Sequence, residues 1–327
     1  MRAQLVAAAA TGGAILFAVL WRRRRVVIYS AERMVLVKLG GSAITKKADF
    51  ETLDSPSLAA AAADISCSAI RTCVVHGAGS FGHFQARQYG ISKGVSHPQF
   101  SWVGFAATRQ SVSKLNGHVV DALIRNGVAA TAMPPFPCWS TVRPKAPQRT
   151  GERRGVDDVR RLLAAGLTPV LHGDAVLDHS QGASILSGDT LMVSLASALR
   201  PVLAVFLTDV AGVYTRPPTE PNAQLLRRIF VSRTTGAIVA ASTSVEPADE
   251  EDVRSGDRER RADGGGVTST TAAHDVTGGL AAKLEAAAAM AMSGTRVVIV
   301  QVGTPHAAAA LKGIVPNVCT LIERAST

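Results

Sequence analysis

Three short glycine-rich stretches contain the residues of this sequence that are best suited to chemistry. The first glycine loop, Gly40–Ser42, follows an apolar run that ends with Lys38 and Leu39. Glycines let the backbone approach an anion closely, and the N–H groups of such a turn bind phosphate oxygens, which Lys38 can also reach. The sequence has no Walker A pattern, so this loop predicts an anion site of another kind.

The second glycine loop, Gly77–Gly82, has the spacing G-x-G-x-x-G and is followed at once by His83. In dinucleotide-binding folds an acid that binds the ribose follows this spacing after about twenty residues. The stretch from His83 to Val120 contains four Lys or Arg residues and no Asp or Glu. The second glycine loop therefore favours a phosphorylated small molecule over a dinucleotide.

The third glycine loop, Gly278–Gly279, precedes an alanine-rich helical pattern in which Lys283 lies one turn beyond Gly279. Residues four apart share a helix face, so the lysine and the helix N-terminus can hold the same phosphate. An ordinary capped helix with a solvated lysine has the same pattern, and for this loop alone both interpretations stay open.

The elements that must position these loops alternate along the chain from residue 34 onward. Short β-branched apolar runs predict buried parallel strands, and longer periodic stretches predict helices. Their alternation predicts a three-layer α/β/α sandwich with a mainly parallel central sheet. The predicted strands are 34–39, 72–76, 128–131, 168–172, 202–208 and 296–301, and the predicted helices are 57–70, 103–126, 157–165, 190–199 and 280–293.

Two segments interrupt this alternation. Residues 134–154 are rich in proline and basic side chains, which favours a solvated loop over the alternative of a substrate lid. Residues 242–273 are poor in hydrophobic side chains, with eight acids and four arginines between Glu246 and Asp263. This composition predicts a disordered insertion in a surface loop.

Half of the formal net charge of +10 lies in residues 1–33, which hold six arginines and one acid. Residues 3–21 carry no charge, and a helix of that length spans about 28 Å, close to the hydrocarbon thickness of a bilayer. Four arginines follow at 22–25 and favour the cytosolic side. The segment predicts a membrane anchor with the remaining chain in the cytosol. The alternative is a dispensable extension before a start at Met34.

The remaining composition narrows the function classes. The body of the chain is only mildly basic and aromatic residues make up 5% of the sequence, which argues against nucleic acid as a partner. The four cysteines form no C-x-x-C pair and predict no metal site. They are interpreted as small buried side chains, which predicts a reducing compartment, the cytoplasm.

The chain resembles the amino acid kinase superfamily, and within it the isopentenyl phosphate kinases, in six stretches that occur in the family's order. These are VLVKLGGSAITKK, VVHGAGSFGH, GLTPVLHGDAVLD, ILSGDTLMVSLA, FLTDVAGVY and DVTGGLAAKLEAAAAMA. The element H-G-x-G-S-F-G-H is the specific one, because other branches lack its second histidine, here His83.

The resemblance implies transfer of the γ-phosphoryl group of ATP to isopentenyl phosphate, a step of isoprenoid precursor biosynthesis. It also implies an amino acid kinase-like fold, Mg²⁺ brought by ATP and a homodimer. Residues 34–327 would form the kinase domain, with a phosphate-acceptor half at 34–175 and a nucleotide half at 176–327. The small-molecule partner would be a prenyl monophosphate. Because its attacking oxygen is already anionic, catalysis needs positioning and charge neutralisation.

The resemblance also implies a role for each matching residue. Lys38, Lys47 and His83 would be catalytic: the lysines would stabilise the transferring group and His83 would bind the acceptor phosphate. Ala78 stands where a glycine is common, but still offers its N–H. The assignments are Lys38, Gly40, Gly41, Ser42, Ala78, Asp209, Tyr214, Gly279 and Lys283 to ATP, Gly77, Gly82, His83 and Gly173 to the acceptor, and Asp174 and Asp189 to the orientation of lysines.

Two alternative functions stay open at this point. A related kinase could act on a phosphonate, an acylated amino acid or a nucleoside monophosphate, because acceptor size depends on side chains between Phe84 and Trp139 that the sequence does not place. A membrane-tethered ligand sensor without catalysis is the second alternative. His76 and His172 each end a predicted strand, and we expect them to serve packing.

Overall fold

The computed structural model describes residues 33–46, 48–142, 146–147, 149–243 and 278–326. Strands and helices alternate through most of this part of the chain. The strands are β1 (Met34–Leu39), β2 (Arg71–His76), β3 (Ala130–Ala132), β4 (Thr141–Val142), β5 (Ala146–Pro147), β6 (Thr168–His172), β7 (Asp174–Asp178), β8 (Gly182–Leu186), β9 (Leu203–Thr208), β10 (Val213–Tyr214), β11 (Leu225–Leu226), β12 (Arg228–Val231), β13 (Ile238–Ser242), β14 (Val297–Gln301) and β15 (Thr320–Arg324).

The helices connect successive strands and cover both faces of the sheet. They are α1 (Gly41–Ile44), α2 (Ser55–Ser66), α3 (Gly79–Gln88), α4 (Trp102–Arg125), α5 (Arg149–Ala164), α6 (Gly188–Leu199), α7 (Gly278–Met292) and α8 (Pro305–Leu311). A 3-10 turn, Ile91–Lys93, lies between α3 and α4.

The central sheet has nine strands in the order β13-β12-β15-β14-β9-β1-β2-β6-β3. From β14 to β3 every neighbouring pair is parallel, and antiparallel pairs occur only at the β15 and β13 side. Helices α2, α4 and α8 pack on one face, and α5, α6 and α7 pack on the other. The predicted sandwich with a mainly parallel sheet is confirmed.

The central strands are buried on both faces, which explains why their sequences are almost entirely apolar. All six residues of β1 and all six of β9 are buried. The carboxyl ends of the parallel strands meet at one edge of the sheet, which is the edge where open α/β sheets bind ligands. The first two glycine loops follow β1 and β2 at this edge.

The prediction of a solvated loop for residues 134–154 is wrong for its described part. Trp139 is 2% exposed and lies in the hydrophobic core, and β4 pairs with β7 in a second, four-stranded sheet. Gly155 on α5 leaves room for the indole, because a Cβ there would lie 2.4 Å from the Trp139 ring. Trp139 thus packs part of this segment against the core although the segment is rich in proline and basic side chains.

Several sequence predictions fall outside the described residues. These are the anchor within residues 1–32, residues 244–273 of the insertion, and Lys47. Within the described ranges, no helix combines the length and the apolar character that crossing a membrane requires.

Candidate active site

Three glycines that follow neighbouring strands make the same type of backbone hydrogen bond to the carboxyl edge of the sheet. In each case a glycine amide donates to a carbonyl at the end of the next strand, which extends the parallel ladder into the loop. The bonds run from Gly40 to Leu207 (3.2 Å), from Gly77 to Leu39 (2.9 Å) and from Gly173 to His76 (3.0 Å). The glycines therefore lie in a row along this edge.

The first and second glycine loops touch backbone to backbone. A Cβ added to Gly41 would lie 2.5 Å from the Gly79 nitrogen, and one added to Gly77 would lie 2.6 Å from the Gly41 nitrogen. Gly79 also has a φ of +52°, which glycine adopts without strain. This contact requires glycine on both sides, and it gathers backbone amides into the small volume that a phosphate occupies.

Lys38 projects into this junction and forms a buried ion pair with Asp189. Its Nζ donates to Asp189 Oδ1, and the lysine is only 4% exposed. Burial lowers the pKa of Lys38, and the charge of Lys283 lowers it further. The Asp189 carboxylate opposes this shift without cancelling it. A lysine has three N–H donors. Lys38 can therefore keep its carboxylate partner and also donate to a phosphoryl oxygen.

The N-terminus of α6 carries Asp189 to the site. Ser187 caps this helix by accepting a hydrogen bond from the Thr190 amide. A Cβ at Gly188 would lie 3.1 Å from Lys38 Cε, so the helix begins directly against the lysine. The positive end of the helix dipole favours a carboxylate in the first turn, where Asp189 lies beside Lys38.

The second glycine loop continues into α3, which carries His83. His83 is exposed and lies one turn beyond Gly79, on the same helix face. The Gly82 amide is not free for the acceptor phosphate to which the resemblance assigns it, because it donates to the Ala78 carbonyl (3.2 Å) inside the helix. Its missing side chain instead lets α3 approach α4, since a Cβ there would lie 3.0 Å from Val112.

Asp174 orients an arginine, which corrects the expectation that it orients a lysine. Arg109 Nη2 on α4 donates to Asp174 Oδ2 at 3.3 Å, and the guanidinium stacks on Phe136 with 4.2 Å to the ring centre. Burial raises the pKa of Asp174, and His172 and Arg109 act against that shift. Asp174 follows Gly173 directly, so a cation is fixed beside this glycine.

Four further residues assigned to the nucleotide lie directly after β9, in β10 and in α7. Asp209 is exposed directly after β9, and its carbonyl accepts a hydrogen bond from Gln301 Nε2 (3.2 Å) at the end of β14. Tyr214 is half-buried in β10. Gly279 is the second residue of α7. Lys283 is half-buried in the second turn of this helix, and its charge is near enough to lower the pKa of Lys38.

Sequence reasoning did not assign three residues that the structure brings to this edge. Arg109 lies 65 positions from its partner Asp174, a separation that no local pattern signals. Asn116 is buried and contacts His76. The sequence could have pointed to Asn116, because it is a polar residue within the apolar stripe of α4 and a buried amide needs hydrogen-bond partners. His76 itself was expected only to pack.

Comparison with known proteins gives consistent matches. Residues 33–301 match the amino acid kinase family. The isopentenyl phosphate kinase of Arabidopsis thaliana is 37% identical over 85% of this chain and 90% of its own length. That of Methanothermobacter thermautotrophicus is 38% identical over 59% of this chain and 74% of its own. A crystal structure of isopentenyl phosphate kinase superposes with a TM-score of 0.67 at 29% identity, over 89% of this chain and 100% of that one.

Proposed function

Because the chain belongs to the amino acid kinase family, and within it to the isopentenyl phosphate kinases, we propose that it phosphorylates isopentenyl phosphate with ATP. The products are isopentenyl diphosphate and ADP. The observation that carries the proposal is the buried ion pair of Lys38 and Asp189 at the junction of the first two glycine loops. A fixed cation among backbone amides is the arrangement that stabilises a transferring phosphoryl group.

The reaction is a displacement at the γ-phosphorus of ATP. An anionic oxygen of the acceptor phosphate forms the new P–O bond, and the bond to the β-phosphate oxygen breaks, so ADP leaves with that electron pair. No general base is required. We assign charge neutralisation to Lys38, to the amide of Gly41, and to Lys47, which lies outside the described residues. Gly40 allows the close approach of the backbone only, because its amide already donates to the Leu207 carbonyl.

The acceptor phosphate belongs on the side of the second glycine loop. We assign it to His83 and to the surface of the backbone at Gly77 and Gly173, which follow the neighbouring strands β2 and β6. The amides of both glycines already bond to the sheet, so these two residues contribute close approach and not a free donor. The Arg109 guanidinium, held by Asp174, adds positive charge on that side. Gly82 supports this site only through helix packing, since its amide is already bonded.

The nucleotide belongs on the side of β9 and α7. We assign its phosphates to Lys283 and Gly279, and its remaining parts to Asp209 and Tyr214, with Ser42 and Ala78 completing the contacts. Mg²⁺ is assigned as the ion that accompanies ATP, because the described residues include no group of three or more potential metal-ligating side chains.

A panel of acceptors tests the proposal. The full chain with Mg-ATP is expected to phosphorylate isopentenyl phosphate in preference to N-acetylglutamate, a nucleoside monophosphate and a phosphonate. His83→Ala is expected to raise the KM of the acceptor at least about tenfold and to leave the KM of ATP nearly unchanged. Transfer only to a carboxylate, or equal loss for both substrates, contradicts these assignments.

Two further properties stay predictions. The resemblance implies a homodimer, which sedimentation equilibrium of the full chain measures directly. Residues 3–21 predict a membrane contact, and flotation of the full chain with lipid vesicles tests it against a variant that lacks residues 1–33.

A further inference from the structure

We propose that His76 and His172 are paired positioning residues, each a neutral imidazole that fixes the peptide unit of the glycine directly after it at the edge of the phosphate site. This inference rests on the proposed function, because the glycines concerned are Gly77 and Gly173. The expectation that the two histidines only serve packing is thereby replaced by a specific role.

The two histidines repeat one arrangement on neighbouring strands. His76 and His172 are paired in register at the ends of β2 and β6, and their ring centres are 5.4 Å apart. His76 Nδ1 lies 2.9 Å from the Gly77 carbonyl oxygen, and His172 Nδ1 lies 3.0 Å from that of Gly173. A carbonyl only accepts hydrogen bonds, so each imidazole must carry its proton on Nδ1.

Asn116 fixes the same tautomer of His76 from the other side. Its Nδ2 lies 3.0 Å from His76 Nε2 and 3.2 Å from the carbonyl oxygen of Val170. An amide nitrogen has two hydrogens and donates one to each acceptor. A proton on His76 Nε2 would face the amide donor of Asn116. The contacts therefore fit only the neutral form with Nδ1 protonated.

Burial keeps both rings neutral. His76 is 0% and His172 is 1% exposed. Burial, the neighbouring His172 and the charge of Lys38 lower the pKa of His76 to about 3. Burial also lowers the pKa of His172, with Asp174 and Arg109 acting in opposite directions on it. A ring that stays neutral at physiological pH is suited to hold a peptide in place and unsuited to transfer protons.

The bond to Gly77 determines where the next amide points. In a trans peptide the C=O of one residue and the N–H of the next point in opposite directions. Since His76 holds the Gly77 carbonyl, the N–H of Ala78 faces away from the imidazole. Ala78 is half-buried, and its N–H has no acceptor within the described part of the chain. This amide is therefore available to a phosphoryl oxygen.

The second histidine extends the restraint along the edge. The Gly173 amide donates to the His76 carbonyl (3.0 Å), while the Gly173 carbonyl accepts from His172. Each glycine carbonyl is thus held by a histidine, and the peptides that precede these carbonyls, His76–Gly77 and His172–Gly173, are linked to each other. His172 Nε2 is buried without a hydrogen-bond partner among the described residues, so only His76 is held from both sides.

Matched substitutions separate positioning from packing. His76→Asn keeps an N–H donor near the position of Nδ1, whereas His76→Leu fills a similar volume without one. We expect His76→Leu to lower kcat at least about tenfold and His76→Asn to stay within about threefold of the wild type. Exposed His118→Leu is the control, and circular dichroism verifies folding. Equal losses in both His76 variants, or wild-type kcat in folded His76→Leu, overturn the proposal.

A spectroscopic measurement decides the proposal even if His76→Leu does not fold. In the full chain labelled with ¹⁵N-histidine, two rings are expected to show a protonated Nδ1 and a bare Nε2 at about pH 7.5, and the ring of His76 is expected to stay so to about pH 5. The signals are assigned by their loss in His76→Asn and His172→Asn. Protonation on Nε2, or titration near the ordinary pKa, overturns it. An inactive wild type would contradict the proposed function and leave this measurement valid.

Discussion

Acidification from about pH 7.5 to about pH 5 is expected to destabilise the fold by about 2 kcal/mol through His76 alone. The perturbation acts on a ring that the native structure keeps neutral. Its pKa falls from 6.5 to about 3 on folding, so the unfolded chain binds a proton that the folded chain does not. The stabilising contribution is complete above pH 6.5 and is lost progressively as the pH falls below that value.

The magnitude follows from the two pKa values. At about pH 5 the unfolded His76 is almost fully protonated and the folded His76 is almost fully neutral. The unfolded pKa of 6.5 lies about 1.5 units above this pH, and each unit corresponds to about 1.4 kcal/mol of unfolding free energy. His172 adds to the acid sensitivity, because burial lowers its pKa too. Asp174 acts in the opposite direction, since its raised pKa makes the folded chain hold a proton more readily.

Urea unfolding of the full chain at several pH values measures this effect. The wild type is compared with His76→Asn, which has no titrating group at this position and retains His172 and Asp174. The difference in unfolding free energy between the two proteins is expected to change by about 2 kcal/mol over the pH range. His118→Asn, at an exposed position, is the control and should keep the wild-type slope.

Parallel curves for the wild type and His76→Asn would refute the reasoning. They would mean that His76 titrates alike in the folded and unfolded chains, and so that burial and the contact with Asn116 do not exclude its charged form. A steeper curve for the variant would refute it as well.

The remaining predictions concern the glycine contact and the two ion pairs of the site. Gly41→Ala should lower kcat at least about a hundredfold, because its Cβ would lie 2.5 Å from a backbone nitrogen of the second glycine loop. The control is Gly117→Ala, which has open space around its Cβ and should raise the free energy of unfolding by about 0.5–1 kcal/mol in thermal unfolding. Equal kcat for both would contradict this. Asp189→Asn should lower kcat more than about tenfold by releasing Lys38, and full activity would exclude that role. Arg109→Met should raise the KM of the acceptor more than that of ATP, and the reverse split would assign it to the nucleotide side.

The central strands could be predicted from the sequence because they are buried on both faces. Strands β1 and β6 have the predicted bounds, since each is a mostly apolar run that is followed directly by a glycine, Gly40 or Gly173. Strand β12 was missed because it is half-buried, with alternating side chains. The start of α5 was missed because its first two turns consist almost entirely of polar residues and glycine.

The candidate site divides in a similar way. The glycine loops and Lys38 could be identified because a phosphate site needs backbone amides and a cation after a strand, which is a local pattern. The contact of Arg109 with Asp174 depends on how α4 crosses β7, and neither neighbouring sequence encodes that crossing. The role of His76 requires its hydrogen-bond partner Asn116, which lies 40 positions away.

A small separate hydrophobic cluster lies beyond Gly173. Ile91, Phe105, Ala175 and Ala183 form it, and partly buried Phe136 packs against both this cluster and one of the two large clusters that cover the sheet. If the acceptor binds beside Gly173 as proposed, the four buried residues of this cluster shape that side of the site, and none of them belongs to the clusters that pack Lys38 and the glycine row. Evolution can therefore change the accepted molecule without rebuilding the phosphoryl-transfer machinery, which is how one scaffold comes to host many specificities.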